Sequence, residues 1–464
     1  MQCALKWLQI VHYKIAIVAG EESGDLLAAN LMRALKEQMD SSLCGNDKGG
    51  GQKSEDGCVI ELIGVGGSRL IQEGLTPSFP METLAIGGYG LDVITAIPKI
   101  LHLRHKLIRQ IINFKPDVFI GVDAPDFNLY LEKKLKEAGI KTVHYVSPTI
   151  WAWRYKRIFK IKKAVDLVLC IFPFEVALYN KEHIAAKFIG HHLADQIEMD
   201  IDIENARNKI IDSSRSLSSA AIEDQNSRQK AEDRGQRAEN NIAYNLGLSS
   251  RSVASKYSIW NDKKSFLAND RVFTVLVGSR KSEIESLGQV FIATCNIIAR
   301  QIKDAIFLFP LVNERSKEIL LNILNKSQVE FKYQVLVNQT SNAIKSANIV
   351  LAKSGTVTLE VALCKKPMVI SYKVSKFTAW MIRRKILIKY VGLPNILLNE
   401  EVAPELLQEN ATPDSLAKGI IDLFHDKTRQ VYVVNKFYEL HNTLRCNASK
   451  SAANAILELI NHAS

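Results

Sequence analysis

The sequence predicts an α/β chain made of two Rossmann-like domains, each a parallel sheet with helices on both faces. Three observations predict it. Strand-like runs alternate with amphipathic helix-like segments, the alternation falls into two blocks, and a polar gap at 201–270 parts the blocks. Alternation of this kind marks parallel sheets, because a parallel neighbour is reached only through a long crossover, usually a helix. At 464 residues the chain is long enough for two or three domains of ~150 residues. Its 47% hydrophobic and 23% charged residues are an ordinary globular balance, which excludes a wholly disordered, collagen-like or coiled-coil chain.

Taken in order, Lys14–Ala19 is β-rich and Leu26–Gln38 has helical period. Val59–Gly64 is a strand candidate, and Leu91–Phe114 is apolar and basic with helical period. Strand Asp117–Val122, helix Leu129–Ala138 and strand Lys141–Val146 follow, and Asp166–Ile171 and Ala186–Ile189 continue the pattern. The second block gives strand Val272–Val277, helix Glu283–Ala299, strand Ala305–Phe309 and helix Ser316–Leu324, then strand Asn348–Ala352, helix Thr356–Leu363 and strand Pro367–Tyr372. Between the blocks, Ser213–Asn241 has too little apolar surface to order itself, so 201–270 reads as an inserted linker, and 41–57 as a smaller insert. The expected domains are therefore 1–200 and 271–425, with 426–464 as C-terminal helices. Met1–Tyr13 carries little positive charge and runs directly into the first strand; it reads as a short leader, not a signal peptide.

Sixty Lys and Arg against 49 Asp and Glu give a formal charge of +11. That excess favours anionic partners: phosphorylated small molecules, acidic lipid headgroups or nucleic acid. No nucleic-acid-binding motif is present to favour the last. No apolar run approaches the ~18 residues of a membrane-spanning helix, so a soluble or peripheral protein is expected. The seven cysteines are odd in number and form no CxxC pair or metal-ligand spacing, which fits unpaired thiols in a reducing cytosol.

Six segments can carry chemistry. Gly20-Glu21-Glu22-Ser23-Gly24-Asp25 joins the first strand to the first helix; it either brings backbone N–H groups to an anion or sugar, or is a plain turn with Ser23 or Asp25 as cap. The cluster Gly64-Val65-Gly66-Gly67 lacks the full GxGxxG spacing. Asp123 and Asp126, in GVDAPDFN, follow a strand whose C-terminal end faces the ligand crevice of a parallel sheet. Asp123 there can take a proton from a hydroxyl, whereas Asp126 reads as a helix cap. The run His144–Arg154 with Lys156, Arg157, Lys160, Lys162 and Lys163 either stacks sugars and binds phosphate or is a hydrophobic loop beside a solvated face. In Gly278-Ser279-Arg280 the guanidinium stands beside a helix start and suits a diphosphate. Ser354, Gly355 and Thr356 can offer N–H and hydroxyl donors to phosphate, with Glu360 a helical turn away for ribose hydroxyls. Asn395, in GLPN, can orient a substrate carbonyl or hydroxyl.

The segments VAGEESGD, IGVGG, DVFIGVDAPDFN, HYVSPTIWAWR, PFE, IGHHLAD, GSRKSEI, KSGTVTLE and GLPN stand in one order, followed by PELLQE and RCNA. Together they resemble the lipid-A-disaccharide synthases, glycosyltransferases of the GT-B fold, from about Lys14 onward apart from the two inserts. The resemblance implies two Rossmann-like domains facing across a cleft, with C-terminal helices packing back on the N-terminal domain. It implies transfer from UDP-2,3-diacylglucosamine to 2,3-diacylglucosamine-1-phosphate, giving the β-1,6 disaccharide phosphate of lipid A and UDP, with no cofactor or metal. It implies work at the cytoplasmic face of a Gram-negative inner membrane, and in some members a homodimer formed by exchange of C-terminal segments. By the same resemblance Asp123 is the general base, Arg280 and Glu360 hold diphosphate and ribose, and Asn395 contacts nucleotide or sugar. Ser354, Gly355, Thr356, Glu21 and Ser23 are the further substrate-binding candidates. Two features depart from the family pattern: the long 201–270 linker, and His192 where a small residue is common.

Metal-free glycosyl transfer needs protein cations for the departing diphosphate, which Arg280 and the Ser354–Thr356 turn can supply. Acyl chains need an apolar surface. Val93, Ile94, Ile97, Ile100 and Leu101, rimmed by Lys99, Arg104, His105 and Lys106, form either an interfacial face or an ordinary core-facing helix. Two other readings remain: another UDP-sugar enzyme of the same fold, such as an epimerase or a peptidoglycan-type transferase, and a non-catalytic membrane-docking protein.

Overall fold

The computed structural model describes residues 12–43, 59–84, 91–213, 271–374 and 388–461, and the side chains of these except 40–43 and 91–100. They divide into two compact units. The first holds 12–43, 59–84, 91–196 and 443–461, the second 197–213, 271–374 and 388–442.

The first unit is a seven-stranded parallel sheet in the order β3-β2-β1-β4-β5-β6-β7. The strands are β1 His12–Ala19, β2 Val59–Val65, β3 Leu75–Pro77, β4 Val118–Val122, β5 Lys141–Tyr145, β6 Leu167–Cys170 and β7 Ala186–Phe188. β4 is buried throughout and β1 from Ile15 to Ala19, as strands covered by helices on both faces must be. One core gathers Ile15, Ile17, Leu31, Leu35, Val118, Ile120, Val122 and Tyr145 on one face; Ala16, Val18, Phe119, Leu107 and Ile111 pack on the other.

The second unit is a six-stranded parallel sheet in the order β10-β9-β8-β11-β12-β13. Its strands are β8 Val272–Leu276, β9 Ile306–Leu311, β10 Lys332–Val337, β11 Ile349–Lys353, β12 Met368–Tyr372 and β13 Glu405–Leu407. Its core includes a cluster of aromatic side chains: Phe273 stacks on Phe307 at 5.4 Å, and Phe307 meets Phe331 edge-on at 4.9 Å. The PELLQE segment supplies edge strand β13.

Two expectations need correction. The first helix runs over Glu22–Leu43, so the expected insert at 41–57 begins inside it, and 44–58 lie outside the described residues. Residues 203–213, read as linker, form a helix of the second unit. Ala206, Arg207, Ile210 and Ile211 fall three and four apart and are buried, with Ile210 and Ile211 packed on Val272, Ile306 and Leu336. The polar composition of the stretch hid that period. Residues 214–270 lie outside the described residues.

The chain returns to the first unit through Thr443 and ends the described residues in helix Ala448–Asn461. Ala452, Ala453, Ala455 and Ile456 are buried in the core with the residues of the helix Glu22–Leu43. Alanines there let the two helices approach closely. The motifs IGHHLAD and RCNA form the joint. Asp195 accepts the N–H of Asn447 at 2.9 Å and of Ala448 at 2.6 Å, capping that last helix. Gly190 sits at φ +90°, where an added Cβ would lie 2.6 Å from Cys446 Cβ.

Candidate functional site

In each sheet the strand order reverses at a pair of neighbouring strands, and the C-terminal ends of that pair form the natural crevice of a parallel sheet. In the first unit the pair is β1 and β4, with Ala19 opposite Val122. The loops leaving them are GEES and DAPD. In the second unit it is β8 and β11, with Leu276 opposite Ala352. The loops leaving those are GSR and KSGT. Each unit thus brings two of the sequence motifs together at its own switch point.

In the first unit Asp123 and Ala124 both have left-handed backbone, φ +50° and +43°. Two such residues in succession cost of order 1–3 kcal/mol each unless the surroundings hold them. Asn128 holds them. Buried at the first turn of helix Pro125–Glu137, it donates from Nδ2 to the Asp123 carbonyl at 2.8 Å and, more loosely, to the carbonyls of Val122 at 3.3 Å and Val18 at 3.4 Å. Pro125 occupies the first helical position, where its fixed φ suits the helix start. Beneath the turn, the fully buried Glu132 and His144 share a 2.6 Å hydrogen bond. Burial raises the Glu132 carboxyl against the opposing pull of His144. A side chain on Gly121 would strike Glu132 and Asn128, so glycine is required there. Asp126 does not cap the helix as expected: Ala124 holds the cap position with no side-chain cap bond, and Asp126, in the first turn, is exposed and paired with Arg157.

The GEESGD segment is more than a turn. Asp25 is buried, and its carboxylate accepts N–H groups of Gly67 at 2.7 Å, Arg69 at 3.1 Å and Leu70 at 3.2 Å. It therefore caps the helix Ser68–Gln72 and binds the GVGG loop to the first loop, rather than capping its own helix. Glu21 and Ser23 are exposed at the helix start.

Above β5, Trp151 donates from its indole N–H to Glu175 at 3.0 Å and meets Phe174 edge-on at 5.3 Å. The buried Glu175 carboxyl is pushed up to about 7, because burial outweighs the Ser147 hydroxyl and the N–H donors around it. Trp153 and Phe159 remain 44% and 51% exposed, among the exposed cations Arg154, Lys156, Lys160, Lys162 and Lys163. Of the expected acyl-contact face, Leu101 is 39% exposed; the side chains of Val93, Ile94, Ile97 and Ile100 lie outside the described residues. Further along that helix, Leu107, Ile108 and Ile111 are core residues, so its C-terminal half faces inward.

The second unit holds a cavity of about 380 Å³ at its switch point, with Gly278, Arg280, Glu283, Lys353, Gly355 and Thr356 in its walls. The Arg280 side chain is 81% exposed, its guanidinium at the mouth. Gly355 and Thr356 are exposed, and a side chain on Gly355 would meet nothing within 4 Å. Ser354 is less available than expected: it is buried, its N–H donates to Ser371 at 2.8 Å and its hydroxyl to the Val391 carbonyl at 2.9 Å. The Glu360 carboxyl is raised by burial, opposed by Lys345. Asn395 departs from expectation. It is fully buried, donates to Ala403 at 2.7 Å and Glu405 at 2.8 Å, and accepts from Val402 and Ala403 at 2.9 Å each. With its amide committed on both sides, Asn395 fixes the GLPN loop to β13 rather than reaching a ligand.

Sequence reasoning overlooked Asn128 and Glu283, although both stand inside quoted motifs. For Glu283 a signal existed: it is the third residue after Arg280, the place of the acid in a capping box. For Asn128 the only signal was a polar residue on the apolar face of its helix.

The profile of the Lipid-A-disaccharide synthetase family matches residues 15–222 and 251–456. The chain belongs to that family. Relatives called lipid-A-disaccharide synthase include one from Dechloromonas aromatica, 36% identical over 97% of this chain and 99% of its own. Another, from Chromobacterium violaceum, is 38% identical over 96% of this chain and 97% of its own. Membership makes the protein a hexosyltransferase that forms the lipid A disaccharide from UDP-sugar and lipid substrates. Among solved structures, a Listeria monocytogenes putative UDP-N-acetylglucosamine 2-epimerase covers 96% of this chain and 95% of its own, at TM-score 0.53 and 10% identity. A Staphylococcus aureus MnaA–UDP structure matches at TM-score 0.52 and 13% identity, over 97% of this chain and 96% of its own. Identities this low bear on the fold alone, and they place the family member among two-domain α/β proteins of the GT-B type. No helix among the described residues is long and apolar enough to cross a membrane.

Proposed function

We propose that the donor is UDP-2,3-diacylglucosamine, the acceptor 2,3-diacylglucosamine-1-phosphate, and Asp123 the general base. The acceptor 6-hydroxyl oxygen attacks the donor anomeric carbon, the bond from that carbon to the diphosphate oxygen breaks, and its electron pair leaves with UDP. The hydroxyl proton passes to the Asp123 carboxylate, and the anomeric centre inverts. Arg280 and the Gly355–Thr356 turn take up the diphosphate charge, with Glu360 on the ribose. Protein cations carry the leaving group, so the reaction proceeds in the presence of a chelator. The observation that carries this reading is the placement of Asp123: an acid on a braced left-handed turn at a switch point, where a carboxylate meets a ligand rather than a helix cap.

Docking on the inner face of the membrane is part of the same reading, supported by the exposed Trp153 and Phe159 among cations and by the exposed Leu101. A homodimer by exchange of the segment 443–461 is its quaternary form; sedimentation of the purified chain checks it, and a monomer at working concentration overturns it.

The test is incubation of the purified chain with both acylated substrates and mass measurement of the product. The expected product is the coupled disaccharide phosphate, with Asp123→Ala about 10²–10⁴-fold slower at unchanged UDP affinity. Near-normal turnover by Asp123→Ala removes that residue from the base role. Turnover of an unacylated UDP-sugar with no coupled lipid favours the epimerase-type alternative.

A further inference from the structure

The second unit carries another cavity, of about 340 Å³, lined in part by Ile203, Asn348, Lys366, Lys427, Gln430 and Val431. It lies at the opposite end of the sheet from the Arg280 pocket. Asn348 immediately precedes β11 and Lys366 stands two residues before β12, whereas Lys353 closes β11 at the other end. At ~3.3 Å per residue, the five residues of β11 separate the two ends by about 15 Å.

Three lysines line this cavity and no carboxylate does. Lys365 and Lys366 are both buried, at 7% and 6% exposure, but they differ in what they touch. Lys365 is satisfied: its ammonium donates to the Glu198 carbonyl at 3.0 Å and to His441 Nδ1 at 2.7 Å. The Lys366 ammonium makes no hydrogen bond or ion pair among the described residues, and its side chain, 6% exposed, opens onto the cavity. A mostly enclosed ammonium without a partner is costly, and an anion in the adjoining space would meet that cost. The guanidinium of Arg207, itself buried and hydrogen-bonded to the Ser346 carbonyl and Asn348, adds to the positive potential there. Burial, with Arg207 adding to it, brings the Lys366 ammonium down to about 8. Lys427 adds an exposed cation at the rim, and Asn348 and Gln430 add neutral polar groups. The other side of the mouth is apolar: Ile203 is 39% and Val431 61% exposed.

We propose that this cavity binds a phosphate group, with Lys366 as its inner cation, Lys427 as its outer one, and Ile203 and Val431 receiving an apolar substituent where the ligand carries one. The site does not depend on the assignments made for Asp123 or Arg280. Free phosphate and a phospholipid headgroup share this chemistry.

The experiment uses the full chain, with UDP at saturating concentration and without it. Inorganic phosphate binding is measured by titration calorimetry, and binding to vesicles of phosphatidylglycerol in phosphatidylcholine by co-sedimentation. Lys366→Met, which keeps volume and removes charge, and the surface variant Lys427→Ala are each compared with the parent. Phosphate affinity falling about tenfold in Lys366→Met, and several-fold in Lys427→Ala, supports the site for a free phosphate compound. Vesicle binding that falls in both variants, and also in Val431→Asp, while inorganic phosphate binds weakly, supports it for a lipid headgroup. Should Lys366→Met fail to fold, Lys427→Ala alone decides. Affinity for both probes unchanged in the folded variants overturns the proposal.

Discussion

The Glu283 carboxylate accepts the Lys353 ammonium at 2.8 Å and, with its other oxygen, the N–H groups of Ser279 at 3.1 Å and Arg280 at 3.3 Å. One acid thus ties the loop after β8 to the end of β11 and shapes the pocket between them. Gly278, at φ +113°, yields the space: a Cβ there would lie 2.6 Å from Glu283 Oε2.

Glu283→Ala is accordingly expected to weaken UDP binding about tenfold and to cost about 1–3 kcal/mol of stability, with Glu283→Gln intermediate. Burial alone would raise this carboxyl, but Lys353 and the two N–H groups hold it below the usual carboxylate range. A lowered carboxyl lends stability above its unfolded value, and that stability is lost as pH falls through the folded value. Below about pH 4.5 the parent should therefore lose more stability than Glu283→Ala does. Denaturant melts at pH 3 to 7 check this.

Asn128→Ala removes the brace of the Asp123 turn. Turnover should fall at least about tenfold while UDP affinity stays unchanged, because the pocket proposed for UDP lies in the second unit. A fall in UDP affinity with normal turnover would sink the assignment of Asn128 as a positioning residue for Asp123.

Glu175 titrates at about 7, above an ordinary carboxyl. For a raised carboxyl the sign reverses. The folded state holds the extra proton, so stability is greatest near and below pH 4.5 and declines as pH rises to about 7. The decline is about 3 kcal/mol at 1.36 kcal/mol per unit. Glu175→Gln should flatten this slope, and Trp151 fluorescence should report the same titration through its bond to the carboxyl.

Gly190→Ala places a methyl against Cys446 at a left-handed backbone position. A loss of about 2 kcal/mol or more is expected, read as a lower melting temperature. Gly139, also left-handed at φ +85° but with open space around it, is the control: its alanine variant should cost about 1 kcal/mol through backbone strain alone.

Much of this fold was legible in the sequence because β-rich runs and helical periods are local properties. Strands β3, β10 and β13 were missed: β3 and β13 have only three residues each, and β10 (KYQVLV) mixes Lys and Gln with its apolar residues. The site was legible as far as its loops, since Gly, Ser and Asp at strand ends announce turns. What the loops do to each other was not. Asp25 acts on Gly67, 42 residues away, and Asp195 on Ala448, 253 residues away. Asn395 illustrates the limit: a polar residue in a motif reads as a ligand contact until the fold shows its amide fully used inside.

The return of 448–461 has a consequence for biogenesis. The first sheet is translated early, yet Ala452 and Ile456 complete its hydrophobic interior. During synthesis the leading lobe therefore waits, with the seat of that helix bare, while the whole intervening lobe leaves the ribosome. A nascent chain halted after residue 442 should bind chaperones and be cut by protease within its first lobe, and extension through residue 461 should end both.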